Sequence, residues 1–305
     1  MPARSPLVLA ALASAAVADL EPVTCRDLGA AGDSDDVDVA EVTDTQGRRW
    51  IVRAPRTASA AAVLEQERRL LTALADRLPF AVPRMAGTAE LPDGGRAGVH
   101  PALEGTALDP ASLAPGPGLA AALGRALAAV HDLPTTLAEE AELPVYGAAE
   151  YRRRRLAELD RAAATGHVPA GLLARWERAL EEAGAWRFTP CLVHGDLAAE
   201  NVLVEDAEVV AVLGWGQARV ADPADDLARL VAGAPEEAAE SLLEAYDHHR
   251  RTAPDRDLLR RARLGGELAV ARWLLHGVTT GEEAVVADAV SMLDDLEAAV
   301  DGATW

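Results

Sequence analysis

The 305-residue chain contains no lysine, so all 29 of its basic residues are arginine. Any cation that anchors a phosphate here must be a guanidinium, whose planar fork of donors suits phosphate oxygens well. With the heavy use of alanine, this reads as the bias of a GC-rich genome. Cysteine is also scarce. Cys25 and Cys191 lie far apart, each beside apolar residues, and read as reduced, inert thiols of a cytoplasmic protein. Positive charge is outweighed by 49 acidic residues, for a net −20. That balance argues against a nucleic-acid binder and against an anionic membrane surface as partner, while tolerating a cationic small molecule. No apolar run approaches the length of a transmembrane helix, and there is no internal repeat or low-complexity tail.

Half of the residues are apolar, enough for a sizeable core in one large domain or two lobes. Met1 to Asp19 has the look of a secretory leader, with one arginine, an apolar run and Ala16-Val17-Ala18. Leu7, Ala10, Ala11, Ser14, Ala15 and Ala18 also recur at helical spacing, and an amphipathic helix is the reading favoured here. Val37 to Val42 and Trp50 to Arg53 read as strands joined by the turn Thr45 to Arg48. A helix is expected over Thr57 to Arg77, stopped by Pro79 and Pro83. The turn Pro92-Asp93-Gly94-Gly95 then leads into a strand over Ala97 to Leu103. From Gly105 the pattern turns helical: Gly118–His131, Ala148–Thr165, Pro169–Glu182, Pro223–Ala232, Pro235–His249, Asp255–Leu275 and Gly281–Val300. Leu192 to Trp215 is the one strand-like interruption. The arginine run Arg152 to Arg155 reads as a solvated helix face paired with glutamates.

That interruption carries the chemistry. Asp196 follows His194-Gly195, and Asn201 stands five residues later, before the strand Val202-Leu203-Val204. A short turn, Glu205 to Glu208, returns the chain through Val209 to Leu213. Kinase-type phosphotransferases place a proton acceptor and a magnesium ligand in this way.

Further blocks fall in a consistent order: Trp50-Ile51-Val52-Arg53-Ala54-Pro55-Arg56, Arg77-Leu78-Pro79-Phe80-Ala81-Val82-Pro83, His194-Gly195-Asp196-Leu197, and Ala218-Arg219-Val220 with Asp222-Pro223-Ala224 and Asp226-Leu227-Ala228. Across roughly residues 36 to 230 they resemble the aminoglycoside/macrolide phosphotransferase family, and most closely its macrolide 2′-phosphotransferases. The resemblance implies an α/β (α+β), two-lobed protein-kinase-like fold. Its small mixed N-lobe with an antiparallel sheet would span residues 1–104, and the larger, mostly helical C-lobe residues 105–305. It implies Asp196 as the proton acceptor and Asn201 as a Mg2+ ligand. Arg53 would anchor phosphate, paired with Glu67, with Glu65 as the neighbour to exclude. Val99 to Glu104, with His100 and Ala102, would form a hinge whose backbone groups meet a purine base. His194 and Asp226 would support the loop, and Asp222 reads equally well as such a brace or as an N-cap. The implied activity is antibiotic resistance by transfer of the γ-phosphate of GTP or ATP to a hydroxyl of a macrolide.

The chain departs from that pattern at one strand end. Relatives read Ile-Asp-Trp with a second acid two residues on; here Leu213-Gly214-Trp215-Gly216-Gln217 lacks both acids. The first normally bridges magnesium to the β- and γ-phosphates. Asp222, Asp225 and Asp226 are the nearest acids that could compensate. The glycine-rich loop is also faint, reduced to Gly29, Gly32 and the run Asp33 to Asp36. A second expectation follows: a pseudokinase-like protein that holds a nucleotide or small ligand with little or no phosphotransfer.

Overall fold

In the computed structural model, residues 3–30, 36–92 and 94–300 are described. Alternation along the first strands sorts side chains onto two covered sheet faces. In chain order, α1 (Pro6–Ala16) precedes β1 (Pro22–Ala30), β2 (Val37–Asp44) and β3 (Arg49–Pro55). Then come α2 (Ala58–Leu74), β4 (Gly87–Glu90), β5 (Arg96–Pro101) and the two-residue β6 (Thr106–Ala107). Next are α3 (Leu119–His131), α4 (Thr136–Glu140), α5 (Ala148–Ala164), α6 (Ala170–Glu181) and β7 (Cys191–Val193). The hairpin β8 (Val202–Glu205) and β9 (Glu208–Val212) follows, then β10 (Arg219–Ala221). Helices α7 (Ala224–Gly233), α8 (Glu236–His249), α9 (Leu258–Thr280) and α10 (Glu283–Val300) end the described chain.

The chain forms two compact units. The first comprises Met1–Leu108, Leu133–Leu143 and Glu200–Ala218. Its main sheet is antiparallel, in the order β1-β2-β3-β5-β4. Trp50, Val52 and Ala54 of β3 point to one face, where they pack with Leu9 and Ala13 of α1. Ile51 points the other way, against Leu64 and Ala60 of α2. Burying one leucine of this kind stabilises by roughly 1.5–3 kcal/mol, which explains why the first helix is integral to the sheet. Thr57 caps α2 through Oγ1, which accepts the Ala60 amide at 3.1 Å. A smaller sheet, β6-β8-β9, completes this unit and meets Ala81 through a parallel bridge at Ala211.

The second unit comprises Asp109–Asp132, Pro144–Ala199 and Arg219–Trp305. It is helical apart from the antiparallel pair β7–β10. Trp176, Leu172 and Leu180 of α6 anchor its core with Leu264 and Leu274 of α9 and Leu293 of α10. Helices α3 and α8 approach closely at Gly124. A Cβ there would lie 2.3 Å from the Leu242 carbonyl oxygen, so only glycine permits this crossing.

The structure adds elements that the sequence pattern hid. β1 and β4 lie outside the predicted strands, and β10 lies beyond the expected strand-like stretch. Gly29 falls inside β1; Gly32 and Asp33 to Asp35 lie outside the described residues, as do Asp93 of the predicted turn and the first two residues of the leader-like segment. The arginine run is not simply a solvated face, because Arg155 is buried.

Candidate active site

In the second unit, β7 delivers His194, Gly195 and Asp196 onto a loop, and α7 fixes that loop from its first turn. Both oxygens of the buried Asp226 are engaged. Oδ2 accepts the His194 amide at 2.8 Å and Oδ1 accepts the Gly195 amide at 2.7 Å. Oδ2 also meets Nε2 of His131 at 3.0 Å, and Nδ1 of His131 meets the Tyr246 hydroxyl at 2.8 Å. Burial pushes the Asp226 pKa up, but hydrogen bonding from His131 and the loop amides outweighs it and leaves the carboxyl below its ordinary value. Asp196 is partly exposed. Its Oδ1 lies 3.3 Å from the Arg229 guanidinium, and its backbone carbonyl accepts the Ala198 amide at 2.8 Å. His194 is buried, and its Nδ1 faces the Asp196 amide at 3.3 Å.

The acids that could have replaced the missing ones have other partners. Asp222 forms a forked pair with Arg261, at 2.7 and 3.1 Å, and accepts the Ala224 amide at 3.0 Å in the manner of a helix cap. Asp225 takes Arg155 at 2.8 Å, Arg219 at 2.6 Å and the Tyr151 hydroxyl. Burial raises its pKa, yet the two guanidinium charges more than offset this and hold it at about 2. Asp226 braces the loop as described. None of the three is left to serve a metal.

In the first unit, Arg53 on β3 and Glu67 on α2 meet at 2.7 Å. The other oxygen of Glu67 accepts the Trp215 amide at 3.1 Å, so one buried carboxylate ties the strand-end turn to the arginine. Glu65 is excluded as the partner because it pairs with Arg68 at 2.5 Å. His100 sits on β5 opposite Ile51, with its ring buried. The Ala102 amide donates to the Arg49 carbonyl at 2.9 Å, so the sheet and not a ligand takes that donor.

Asn201 ends a short 3-10 turn, and its carbonyl accepts the Leu213 amide at 2.8 Å. Gly214 follows with φ 74 and ψ 41, a left-handed conformation that suits glycine. A Cβ at this position would lie 2.7 Å from Oδ1 of Asn201. The amide side chain therefore fills the space that an aspartate at 214 would need. Gln217 is exposed at the end of the turn. Among the described residues, no cluster of three His, Cys, Asp or Glu could hold a metal ion. This donor set does not fit a cage made by protein alone. It does fit a magnesium ion that keeps waters and phosphate oxygens and takes one protein oxygen, since magnesium commonly binds with few protein ligands.

The comparisons with known proteins decide the family. A model described as APH, phosphotransferase enzyme family, matches residues 30–264. The chain belongs to this family. It resembles the apoenzyme of macrolide 2′-phosphotransferase MphH from Brachybacterium faecium at 29% identity, covering 90% of this chain and 93% of that one, with a TM-score of 0.76. Macrolide 2′-phosphotransferase type I is similar at 27% identity, covering 96% and 99%, with a TM-score of 0.77. The GDP and kanamycin complex of APH(2″)-IIIa, at 19% identity and a TM-score of 0.80, shows the shared fold. An uncharacterised Bacillus subtilis (strain 168) protein, YcbJ, is 33% identical over 81 residues, which is 26% of its length. This member of the family thus has the two-lobed kinase-like fold that its sequence motifs implied, with an antiparallel sheet in one part and a mostly helical remainder. Sequence reasoning missed His131, Tyr246 and Arg229. A histidine closing an apolar helix at 131 was the one local signal for the first of these.

Proposed function

We propose that the chain is a small-molecule kinase that moves the γ-phosphate of GTP or ATP to a hydroxyl of a macrolide or related antibiotic. The observation that carries the reading is Asp196 on a loop fixed by two amide hydrogen bonds to Asp226. Positioning is most of what phosphoryl-transfer enzymes supply, and macrolide phosphotransferases stand among the similar structures. Asp196 accepts the proton of the acceptor hydroxyl as its oxygen attacks the γ-phosphorus. The bond to the bridging oxygen breaks, and the nucleoside diphosphate leaves. Arg53, oriented by Glu67, binds phosphate oxygens through its guanidinium. The nucleotide lobe is residues 1–104, where the hinge around His100 offers the carbonyl of Ala102 to the base. Residues 105–305 carry the catalytic loop and the acceptor site, with His194 and Asp226 as its supports. Asn201 holds magnesium, which when bound neutralises charge on the phosphates. The acceptor is a cationic molecule, in keeping with the net charge of −20. No helix among the described residues is long and apolar enough to cross a membrane, and the proposal places the reaction in the cytoplasm.

The test is a screen of macrolides with purified protein, magnesium and GTP or ATP, scored by phosphorylated product. Turnover must exceed that of an Asp196→Ala control; turnover no higher than this control ends the proposal. One observation favours a second reading, ligand binding without transfer: the strand end lacks acids, and Asp222, Asp225 and Asp226 are all committed elsewhere. Nucleotide-induced thermal stabilisation that ignores magnesium, without product, selects that reading.

A further inference from the structure

Helix α9 carries a cation that the fold does not neutralise. Among the described residues, the buried side-chain polar atoms without a hydrogen-bond partner are Nε of Arg250 and Nη1 of Arg272. Arg250 still has a counter-ion, because its Nη1 pairs with Asp132. Arg272 has none among the described residues. Its Nη2 donates only a long bond, at 3.4 Å, to the Gly265 carbonyl seven residues back on the same helix.

The surroundings add to the imbalance. Helix α5 packs on α9, with Tyr151 and Leu159 in one core with Leu264 and Leu268, and it brings the buried Arg155 to this seam. The ionised groups that act most strongly on Arg272 are Arg155, Glu158 and Asp225. Both acids are already committed. Glu158 pairs with Arg155 at 2.8 Å, and Asp225 takes Arg155 at 2.8 Å and Arg219 at 2.6 Å. Three guanidiniums therefore share two carboxylates, and one positive charge is in excess. Burial and then the Arg155 charge bring the pKa of Arg272 down to about 10, still far enough above neutral pH to keep the group charged. A buried, unpaired charge is costly, and a water molecule would satisfy its N–H without balancing it. Acids are not in short supply in a chain of net −20.

We propose that the seam between α5 and α9 at Arg272 is a binding site for a small oxyanion, a carboxylate or a phosphate, held by the Arg272 guanidinium. Paired oxygens match the fork of N–H donors on a guanidinium, a geometry that chloride lacks, and one negative charge balances the excess. The site is separate from the phosphate chemistry assigned to Arg53 and Asn201, which belong to the first unit, whereas Arg272 belongs to the second. From Arg272 the charged network runs through Arg155 and Asp225 to Arg219, whose guanidinium lies 3.5 Å from the Gly195 carbonyl beside Asp196.

Inorganic phosphate and formate serve as probes. Each replaces chloride at constant ionic strength while the melting temperature of the full chain is followed, for the wild type and for Arg272→Met. The readout is the difference between the two proteins, so phosphate bound at Arg53 cancels. With at least one probe the wild type should gain a few degrees saturably over the variant, and the probe that does so identifies the oxyanion. In chloride alone Arg272→Met should be at least as stable as the wild type, because an apolar side chain replaces an unpaired buried charge. Equal responses of the two proteins to both probes overturn the proposal. So does an Arg272→Met chain that is less stable than the wild type in chloride, or that fails to fold, since the protein itself would then be pairing the guanidinium. Failure of the macrolide screen leaves this test unaffected, because its readout is binding alone.

Discussion

Replacing Asp226 with asparagine separates charge and acceptor count from shape. The native carboxylate accepts three hydrogen bonds in a site where it is 1% exposed. Asparagine keeps one acceptor oxygen and presents an NH2 at the other position. If that NH2 faces His131, the imidazole can adapt by moving its proton to Nδ1, which then donates to the Tyr246 hydroxyl. The His194 amide cannot adapt. It loses its acceptor in a buried site, at a cost of about 1–3 kcal/mol. Asp226→Ala removes every acceptor, strands two amides and His131, and should cost roughly twice as much or more. Urea unfolding measures both values, and steady-state kinetics with an identified acceptor measures the loop. In Asp226→Asn, kcat should fall while nucleotide affinity holds, because the Arg53–Glu67 pair keeps its own partners. Wild-type stability together with wild-type turnover in Asp226→Asn would refute the bracing role.

Two other expectations bear on the acids. Gly214→Asp places a Cβ 2.7 Å from Oδ1 of Asn201 at φ 74, so it should lower stability by about 1–2 kcal/mol and displace Asn201. No gain in magnesium-dependent turnover is expected from it alone, and a clear gain at unchanged melting temperature would show that the pocket yields easily. Asp225, held at about 2 against an ordinary 3.8, favours the folded state in its ionised form. Its contribution of about 2 kcal/mol is complete above the ordinary pKa and lost as pH falls from about 4 toward 2. Chemical denaturation across that window should show the loss, and a flat profile there would contradict it.

What could be read in the sequence was mostly local. Asp196 and Asn201 stand five residues apart before an apolar hairpin, and the hairpin formed as β8 and β9. Arg53 and Glu67 followed from motif order, but the choice against Glu65 rested on which way each points from α2, and Arg68 and Arg69 decided that. β1 reads Pro-Val-Thr-Cys-Arg-Asp-Leu-Gly-Ala, without a clean alternation, and β4 and β10 have four and three residues. Such strands are fixed by their neighbours in the sheet rather than by their own pattern. The His131–Tyr246 contact spans 115 residues and leaves no local trace, since it depends on Gly124 letting two helices meet.

The acids of Ala221-Asp222-Pro223-Ala224-Asp225-Asp226 show why motif proximity misleads about metal ligation. In the sequence they crowd the position where two acids are missing, and compensation is the natural thought. In the structure each faces a cation or donor, most of them drawn from far along the chain: Arg261 for Asp222, Arg155 with the nearby Arg219 for Asp225, His131 and two loop amides for Asp226. A buried carboxylate needs such partners whatever its function. Releasing one to a metal would leave a buried guanidinium or amide unpaired, a larger penalty than the ion would offset by taking a single ligand. The absence at Gly214 is therefore not repaired from within this segment. On the proposed reading, a metal would depend on Asn201 and on oxygens that the nucleotide itself brings.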